Sequence, residues 1–239
     1  MKLLFSLLLF ASLTFFQNCV PSETKSFPTK ADSTITITLS VVGDIMCHAP
    51  QFEYARVSKD SFDFNPVFRY VAKNLSESDF TFGNLETVTA GKEAKYSGYP
   101  MFNSPSALLD ALKNAGFDLL ITSNNHSLDR GESGIRKTIN ELKSRDINYT
   151  GTHLSQADRD SIRVFNIKNI SIAFLAYSYG TNGNPIPIGK SYLINLIDLN
   201  LIKEDISRAK KLKPDLVLVY FHFGEEYRRE PNAYQKKGC

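Results

Sequence analysis

The stretch Phe117-Asp-Leu-Leu-Ile-Thr-Ser-Asn-Asn-His-Ser-Leu-Asp-Arg-Gly131 decides the fold. Residues 117–122 form an apolar run that predicts a buried strand, and residues 132–145 repeat apolar side chains at helical spacing. A polar cluster separates these two elements. In an α/β sheet, ligands bind beyond the carboxyl ends of the strands, so the cluster is where a functional site is expected. A capped turn explains this stretch alone equally well, because Asn and Asp also cap helices and occupy turns.

Polar side chains follow three more predicted strands in the same way. The four strands are residues 34–42, 79–82, 117–122 and 215–221. The side chains that follow them are Asp44 with His48, Glu86, Asn125 with His126, and His222. Because strand ends at one edge of a sheet converge in space, we expect these side chains to share one pocket.

The remaining apolar patterns predict helices, a hairpin and one long loop. The predicted helices are residues 64–75, 106–115, 132–145 and 200–211. Residues 147–150 are a further strand, and residues 162–167 and 170–177 pair as a hairpin across Lys168-Asn169. Residues 178–190 form an irregular loop of a length that is often functional. Strands and helices arranged in this order predict an α/β protein.

Length and charge limit the classes of protein to consider. The chain has 239 residues, of which 42% are apolar and 22% charged, which suits one sizeable globular core better than two. Its formal charge of +3 is spread along the sequence, and the basic clusters are only short pairs. The charge pattern therefore predicts no nucleic-acid partner and no basic membrane-binding stripe.

The N-terminus predicts export. Residues 3–16 form an uncharged apolar run that is typical of a secretory signal peptide and short for a membrane span. We therefore predict a signal peptide at residues 1–18, a polar tether at 19–33 and a folded domain at 34–239. Cys19 is in position for bacterial lipoprotein acylation, which predicts a lipid anchor in the cell envelope. Ordinary signal cleavage, giving a soluble periplasmic or secreted protein, is the alternative.

The converging side chains are chemically suited to a metal site. Two carboxylates, an amide oxygen and several imidazoles are ligands for divalent ions such as Mn, Fe or Zn. Without a cation, neighbouring carboxylates in a partly desolvated pocket would repel each other. Each residue alone also has a structural explanation as a helix cap or a hydrogen-bonded side chain. His153 lies outside the pattern and is predicted to be at the surface.

Five segments, in this order, resemble the motifs of the CapA family, bacterial proteins named for poly-γ-glutamate capsule synthesis, whose domain is similar to the calcineurin-like metallophosphoesterases. The segments are Gly43-Asp-Ile-Met-Cys-His48, Gly83-Asn-Leu-Glu-Thr87, Ser123-Asn-Asn-His-Ser-Leu-Asp-Arg-Gly131, Tyr177-Ser-Tyr-Gly-Thr-Asn-Gly183 and His222-Phe-Gly-Glu-Glu-Tyr227. The likeness covers residues 37–235, nearly all of the predicted folded part.

The resemblance implies a four-layer α/β sandwich, with two mixed β-sheets flanked by helices, and two divalent metal ions at the strand ends. In that arrangement Asp44 and His48 bind the first ion. Glu86 bridges the pair, and Asn125 and His222 bind the second ion. The implied catalytic residues are His126, which would donate a proton or stabilise charge at the scissile group, and Asp129 of the same motif.

The reaction implied by such a site is hydrolysis of a phosphoester or a related bond. The family name suggests an anionic cell-envelope polymer, or a phosphorylated precursor of it, as the partner. No residue in this sequence identifies that polymer.

The sequence also departs from the family pattern. Family members continue past this region into a helix and a strand that ends in a Gly-His-x-His motif, whereas this sequence ends at Cys239. The departure predicts a domain that lacks at least one core strand and the last metal-binding motif. One alternative to the enzyme, an inactive fragment, follows from it. A second alternative is a non-catalytic envelope lipoprotein that binds or anchors the polymer through the polar strand ends.

Overall fold

The computed structural model describes residues 34–238. The predicted signal peptide, Cys19 and the predicted tether lie outside the described residues. The strands are β1 (Leu39–Ile45), β2 (Arg56–Ser58), β3 (Ser61–Phe62), β4 (Phe80–Leu85), β5 (Leu119–Ile121), β6 (Asn148–Thr150), β7 (Arg163–Ile167), β8 (Ile170–Ser178) and β9 (Leu216–His222). The helices are α1 (Ala49–Tyr54), α2 (Asn65–Phe68), α3 (Ala72–Ser76), α4 (Ala107–Asn114), α5 (Gly131–Ser144), α6 (Gln156–Asp160), α7 (Leu199–Lys211) and α8 (Ala233–Gly238).

Two β-sheets form the centre of the domain. The first has the strand order β1-β4-β5-β6, and all of its strands are parallel. The second has the order β7-β8-β9, in which β7 and β8 are antiparallel and β8 and β9 are parallel. The predicted α/β sandwich of two sheets is therefore confirmed, although only the second sheet is mixed. The first sheet is parallel because helices or loops connect each of its strands to the next.

Three apolar clusters hold the layers together. Strand residues alternate between faces, so Phe82 and Ile121 point to the second sheet, where they pack against Phe174. Leu120, on the opposite face, packs with the helices of the first sheet, including Leu109 of α4. The outer face of the second sheet packs against α7. The order helix, sheet, sheet, helix gives the four predicted layers.

The hairpin at Lys168-Asn169 matches its prediction. Ile167 pairs with Ile170, and the two turn residues have φ values of 47° and 68°. Positive φ at both central residues is typical of the type I′ turn, whose twist matches that of the flanking strands.

Several predictions differ from the structure. Strands β1 and β4 both end three residues later than the predicted 42 and 82, so Asp44 lies within β1 and not beyond its end. The helix predicted at residues 64–75 is broken into α2 and α3, with a turn at residues 69–71 between them. His153, predicted at the surface, is only 3% exposed. The surface prediction was wrong because the segment after β6 bridges to Ile194, and the backbone N–H of His153 donates to the carbonyl of Leu193.

None of the helices in the described part of the chain combines the length and apolar character that crossing a membrane requires.

Candidate metal centre

Three predicted ligands meet where both sheets end. Asp44 lies near the end of β1, Glu86 follows β4, and His222 ends β9. One ligand atom from each of them lies within 4.8 Å of the others. Nδ1 of His222 is 3.5 Å from Oδ1 of Asp44, and its Nε2 is 3.7 Å from Oε1 of Glu86. Residues 178 positions apart in the sequence therefore form a possible metal-binding triad.

A β-bulge positions the first carboxylate. β1 pairs regularly with β4 up to Val42, opposite Gly83, and the register then shifts so that Asp44 lies opposite Asn84. The extra residue is Gly43. Because a bulge inserts one residue and bends its strand, it changes the direction in which the next side chain points.

The two carboxylates of the triad differ in protonation. The His222 ring, whose Nδ1 lies 3.5 Å away, and a hydrogen bond from the Asn84 amide lower the pKa of Asp44 to about 2 despite partial burial. Burial, reinforced by the nearby charge of Asp44, raises the pKa of Glu86 to about 8. At neutral pH the metal-free site therefore holds one ionised carboxylate and one that keeps its proton.

The triad suits a divalent cation. The Oε2 atom of Glu86 is buried and has no hydrogen-bond partner among residues 34–238. A buried carboxylate oxygen without a partner is unfavourable unless a cation or a proton compensates for it. Two carboxylates and one imidazole also match the ligand preference of Mn, Fe and Zn. The residues present thus fit the predicted kind of cofactor.

Asn125, a further predicted ligand, lies beside the triad. Its Oδ1 atom is 2.7 Å from Nε2 of His222, so the amide oxygen faces the ligand cluster. Asn125 is 5% exposed and follows β5 in the first sheet, whereas His222 belongs to the second sheet. The roles of the individual ligands stay predictions.

Two further asparagines, to which the sequence analysis gave no role, support the cluster. Asn84 donates to Asp44 at 2.8 Å, and its amide nitrogen lies 3.2 Å from Nδ1 of His222. Asn124 in turn donates to Oδ1 of Asn84 at 3.0 Å. Both are fully buried and lie within the quoted motifs, Asn124 directly before Asn125 and Asn84 two residues before Glu86. Their position in those motifs was the available sequence signal.

The predicted catalytic residues form a buried pair beside the triad. Nδ1 of His126 is 2.7 Å from Oδ2 of Asp129, and Nε2 lies 3.9 Å from Oε1 of Glu86. The ring edge packs against Phe102 at 4.6 Å between centroids. Asp129 therefore fixes one ring nitrogen, and the other points towards the candidate metal centre.

His48 lies apart from the triad. It is exposed, its ring packs edge-on against Phe102 at 5.1 Å, and it lines the same cleft as the other candidates. Its predicted role as a ligand of the first ion stays a prediction.

The candidate centre opens into a cleft of about 1030 Å³. The ring of Tyr179 stacks on His222, with 5.9 Å between centroids. Residues 223–231, which follow β9, form one wall and include the adjacent cations Arg228 and Arg229. The volume is at the upper end of the range for small-molecule sites.

Comparison with known proteins agrees with this architecture. A four-layer α/β sandwich with carboxylates and imidazoles at its strand ends is consistent with a metallophosphoesterase-like fold. Residues 38–239 match the family described as bacterial capsule synthesis protein PGA_cap. This chain belongs to that family.

Two curated relatives match most of the chain. It is 29% identical over 216 residues to the capsule biosynthesis protein CapA of Bacillus anthracis, covering 87% of this chain and 52% of the relative. It is 28% identical over 220 residues to the PGA biosynthesis protein CapA of Bacillus subtilis strain 168, covering 90% and 56%. The chain therefore spans about half the length of these curated relatives.

Proposed function

We propose that this protein takes part in the synthesis of a capsule or another cell-envelope polymer, as a metal-dependent hydrolase of a phosphoester or a related bond. The observation that carries the proposal is the convergence of Asp44, Glu86 and His222, whose ligand atoms lie within 4.8 Å of one another. The names of the relatives support the capsule-related part of it.

In the proposed function, the site residues bind the metal. Asp44, Glu86 and His222 would hold one divalent ion. His48 and Asn125 are the further ligands that the family resemblance implies for a two-ion site. Bound divalent ions lower the pKa of a water molecule and neutralise charge on the oxygens of the scissile group. The support for this assignment is the unpartnered Oε2 of Glu86, which a cation would satisfy.

His126 supplies the proton-transfer group of the proposed reaction. With Nδ1 held by Asp129, its Nε2 atom faces the triad, and the imidazolium form of the ring can pass its Nε2 proton to a leaving oxygen. Phe102 packs against the ring, which restricts its rotation.

The cleft suits an anionic partner, which we take to be a cell-envelope polymer or its phosphorylated precursor. Arg228 and Arg229 on the cleft wall provide guanidinium groups that bind phosphate or carboxylate oxygens. The same wall carries three carboxylates, Glu225, Glu226 and Glu230, so anion binding in the proposed function depends on bound metal.

The decisive experiment measures metal content, Mn²⁺ affinity and hydrolysis of bis-p-nitrophenyl phosphate by the purified chain. Asp44→Ala and His222→Ala should each abolish turnover and bound metal. Asp60→Ala, which changes an exposed carboxylate in the turn between β2 and β3, is the matched control and should leave both unchanged. If the wild-type chain binds polymer but binds no metal and hydrolyses no phosphodiester, the proposed enzyme is wrong and the non-catalytic, polymer-binding lipoprotein is favoured.

For localisation, we propose export and anchoring through an acylated Cys19. The support is the apolar run at residues 3–16 followed by that cysteine. The mass of the mature N-terminal peptide from a bacterial membrane fraction tests the proposal. A mature chain that begins at an unmodified residue, recovered from the soluble fraction, would contradict it.

A further inference from the structure

The loop between β8 and α7 brings one more amide to the candidate metal centre. Oδ1 of Asn182 accepts a hydrogen bond from Nδ2 of Asn125 at 3.1 Å. Its own Nδ2 lies 3.4 Å from Nε2 of His126. One side chain therefore touches both the predicted amide ligand and the predicted proton donor, although it lies 57 and 56 residues from them in the sequence.

Backbone hydrogen bonds and a tight turn fix the position of Asn182 in this loop. The backbone N–H of Tyr179 donates to the carbonyl of His222 at 2.9 Å, which ties the start of the loop to the end of β9. Thr181 and Asn184 then close a turn through two hydrogen bonds. Its central residues, Asn182 and Gly183, have φ values of 52° and 77°. This is the type I′ pattern for which Asn-Gly is the favoured pair.

The contact decides which way the Asn125 amide faces. An amide has an acceptor oxygen and a donor nitrogen, and a rotation of 180° exchanges them. Because Asn182 offers Asn125 an oxygen, the nitrogen of Asn125 turns towards the loop and its oxygen turns towards His222. In the opposite orientation, Asn125 would present an NH₂ group to the candidate centre, and an NH₂ group cannot bind a cation.

We propose that Asn182 is a positioning residue that sets the Asn125 amide with its oxygen towards the metal centre. The inference rests on the proposed function for the identity of the ligand, but the orientation itself is a property of the metal-free protein. Asn182 is exposed, so water competes for its hydrogen bonds. The expected effect on metal affinity is therefore about tenfold, the low end for groups that orient metal ligands.

Asn182 could instead serve only to stabilise the turn. The variant Asn182→Gly distinguishes this structural role from the positioning of Asn125. Glycine adopts positive φ without strain, so this variant keeps the turn and removes the amide. Asn182→Asp also suits the turn and keeps an acceptor for Asn125, but it has no donor for His126. Thr181→Val is the loop control, because it removes the hydrogen bond from the Thr181 hydroxyl to the Asn184 carbonyl, and within residues 34–238 Thr181 has no hydrogen bond to Asn125 or His126.

The test uses the full chain and two readouts, after thermal melts have shown that the variants fold. The first is the NMR signal of the Asn125 side-chain NH₂ in the metal-free protein. This signal should be protected from solvent exchange in the wild type, Asn182→Asp and Thr181→Val, and unprotected in Asn182→Gly. The second is Mn²⁺ titration by calorimetry, in which Asn182→Gly should bind about tenfold more weakly than Thr181→Val.

The outcomes distinguish this inference from the proposed function. Unchanged NH₂ protection and unchanged Mn²⁺ affinity in Asn182→Gly would overturn the positioning role and leave the metal centre intact. Loss of protection in Asn182→Gly, with no Mn²⁺ binding by the wild type, would support the orientation of Asn125 and overturn the proposed function.

Discussion

Oδ2 of Asp129 lies 2.7 Å from Nδ1 of His126 and also accepts a hydrogen bond from the backbone N–H of Phe102 at 2.6 Å. Asp129 is 2% exposed, and these contacts fix the position of its carboxylate. It determines which nitrogen of His126 is free to face the candidate metal centre.

Asp129→Asn should therefore lower phosphodiesterase turnover by about 100-fold while leaving the metal content unchanged. An amide that turns its NH₂ group to His126 would force the ring into the other tautomer. Steady-state kinetics together with metal analysis check this result. His126→Ala should lower turnover by a similar factor. The variant that combines both substitutions should be only slightly slower than either one, because the two residues act as a unit. Additive losses would show that they act separately.

The buried carboxylate of Glu86 should make the metal-free protein less stable as the pH rises. Its pKa is about 8 in the folded state against an ordinary value of 4.5, so between these values the folded state holds a proton that the unfolded state releases. Stability is then lost as the pH increases from about 4.5 to 8.

Glu86→Gln should remove that slope and raise the metal-free Tm at pH 8 by about 2–4 °C, which corresponds to roughly 1 kcal/mol. The same variant should lose the increase in Tm that Mn²⁺ gives the wild type. Calorimetric melts at pH 5 and pH 8, with and without Mn²⁺, measure both effects. If Mn²⁺ still raises the Tm of Glu86→Gln, Glu86 is not a required metal ligand.

Gly151 should not tolerate a side chain. Its φ is 106°, and a Cβ atom there would lie 2.5 Å from Oγ and 2.7 Å from the backbone nitrogen of Ser123, just ahead of the site asparagines. Gly151→Ala should lower the free energy of unfolding by roughly 2 kcal/mol or more. Gly180→Ala, where a Cβ would meet no atom within 4 Å, is the matched control. Urea denaturation of both variants checks the difference, and equal midpoints would contradict it.

His153 should make the fold sensitive to acid. Burial lowers its pKa to about 4, from an ordinary value of 6.5, and neither ring nitrogen has a hydrogen-bond partner in the described part of the chain. Below pH 6.5 the unfolded state takes up a proton that the folded state refuses, so stability falls as the pH drops from 6.5 to 4. The loss is at most roughly 3 kcal/mol.

His153→Leu should flatten this part of the pH profile and match or exceed the stability of the wild type at pH 5. Urea midpoints at pH 7 and pH 5 measure the change. If the urea midpoint of the wild type is the same at pH 7 and pH 5, protonation of His153 does not destabilise the fold and the prediction is wrong.

The sequence predicted the ends of β5 and β9 to within one residue because both strands carry a strong apolar pattern, whereas β1 and β4 end three residues later than predicted. The run before His222 and the run before Ser123 are both strands in the structure, and the site residues that follow them do converge. The Lys168-Asn169 turn was predictable for a similar reason, since it lies between two alternating strands. Local pattern and parallel-sheet geometry were sufficient for these features.

Other features depend on contacts between distant residues. Strands β2 and β3 have three and two residues, too few to show a period. The burial of His153 comes from its pairing with residues 193–194, which its own neighbourhood does not indicate. The hydrogen bond between Asn182 and Asn125 is a matter of amide orientation in three dimensions, so no spacing rule could have predicted it.

The triad joins the two central layers, since Asp44 and Glu86 come from the first sheet and His222 ends an outer strand of the second. A cation held by all three would cross-link the sandwich at one end, opposing any sliding of one layer over the other. Deuterium uptake by the backbone amides of β9 would then slow on loading, even at residues far from the ion. Metal binding at the centre would thus make the whole of β9 more rigid.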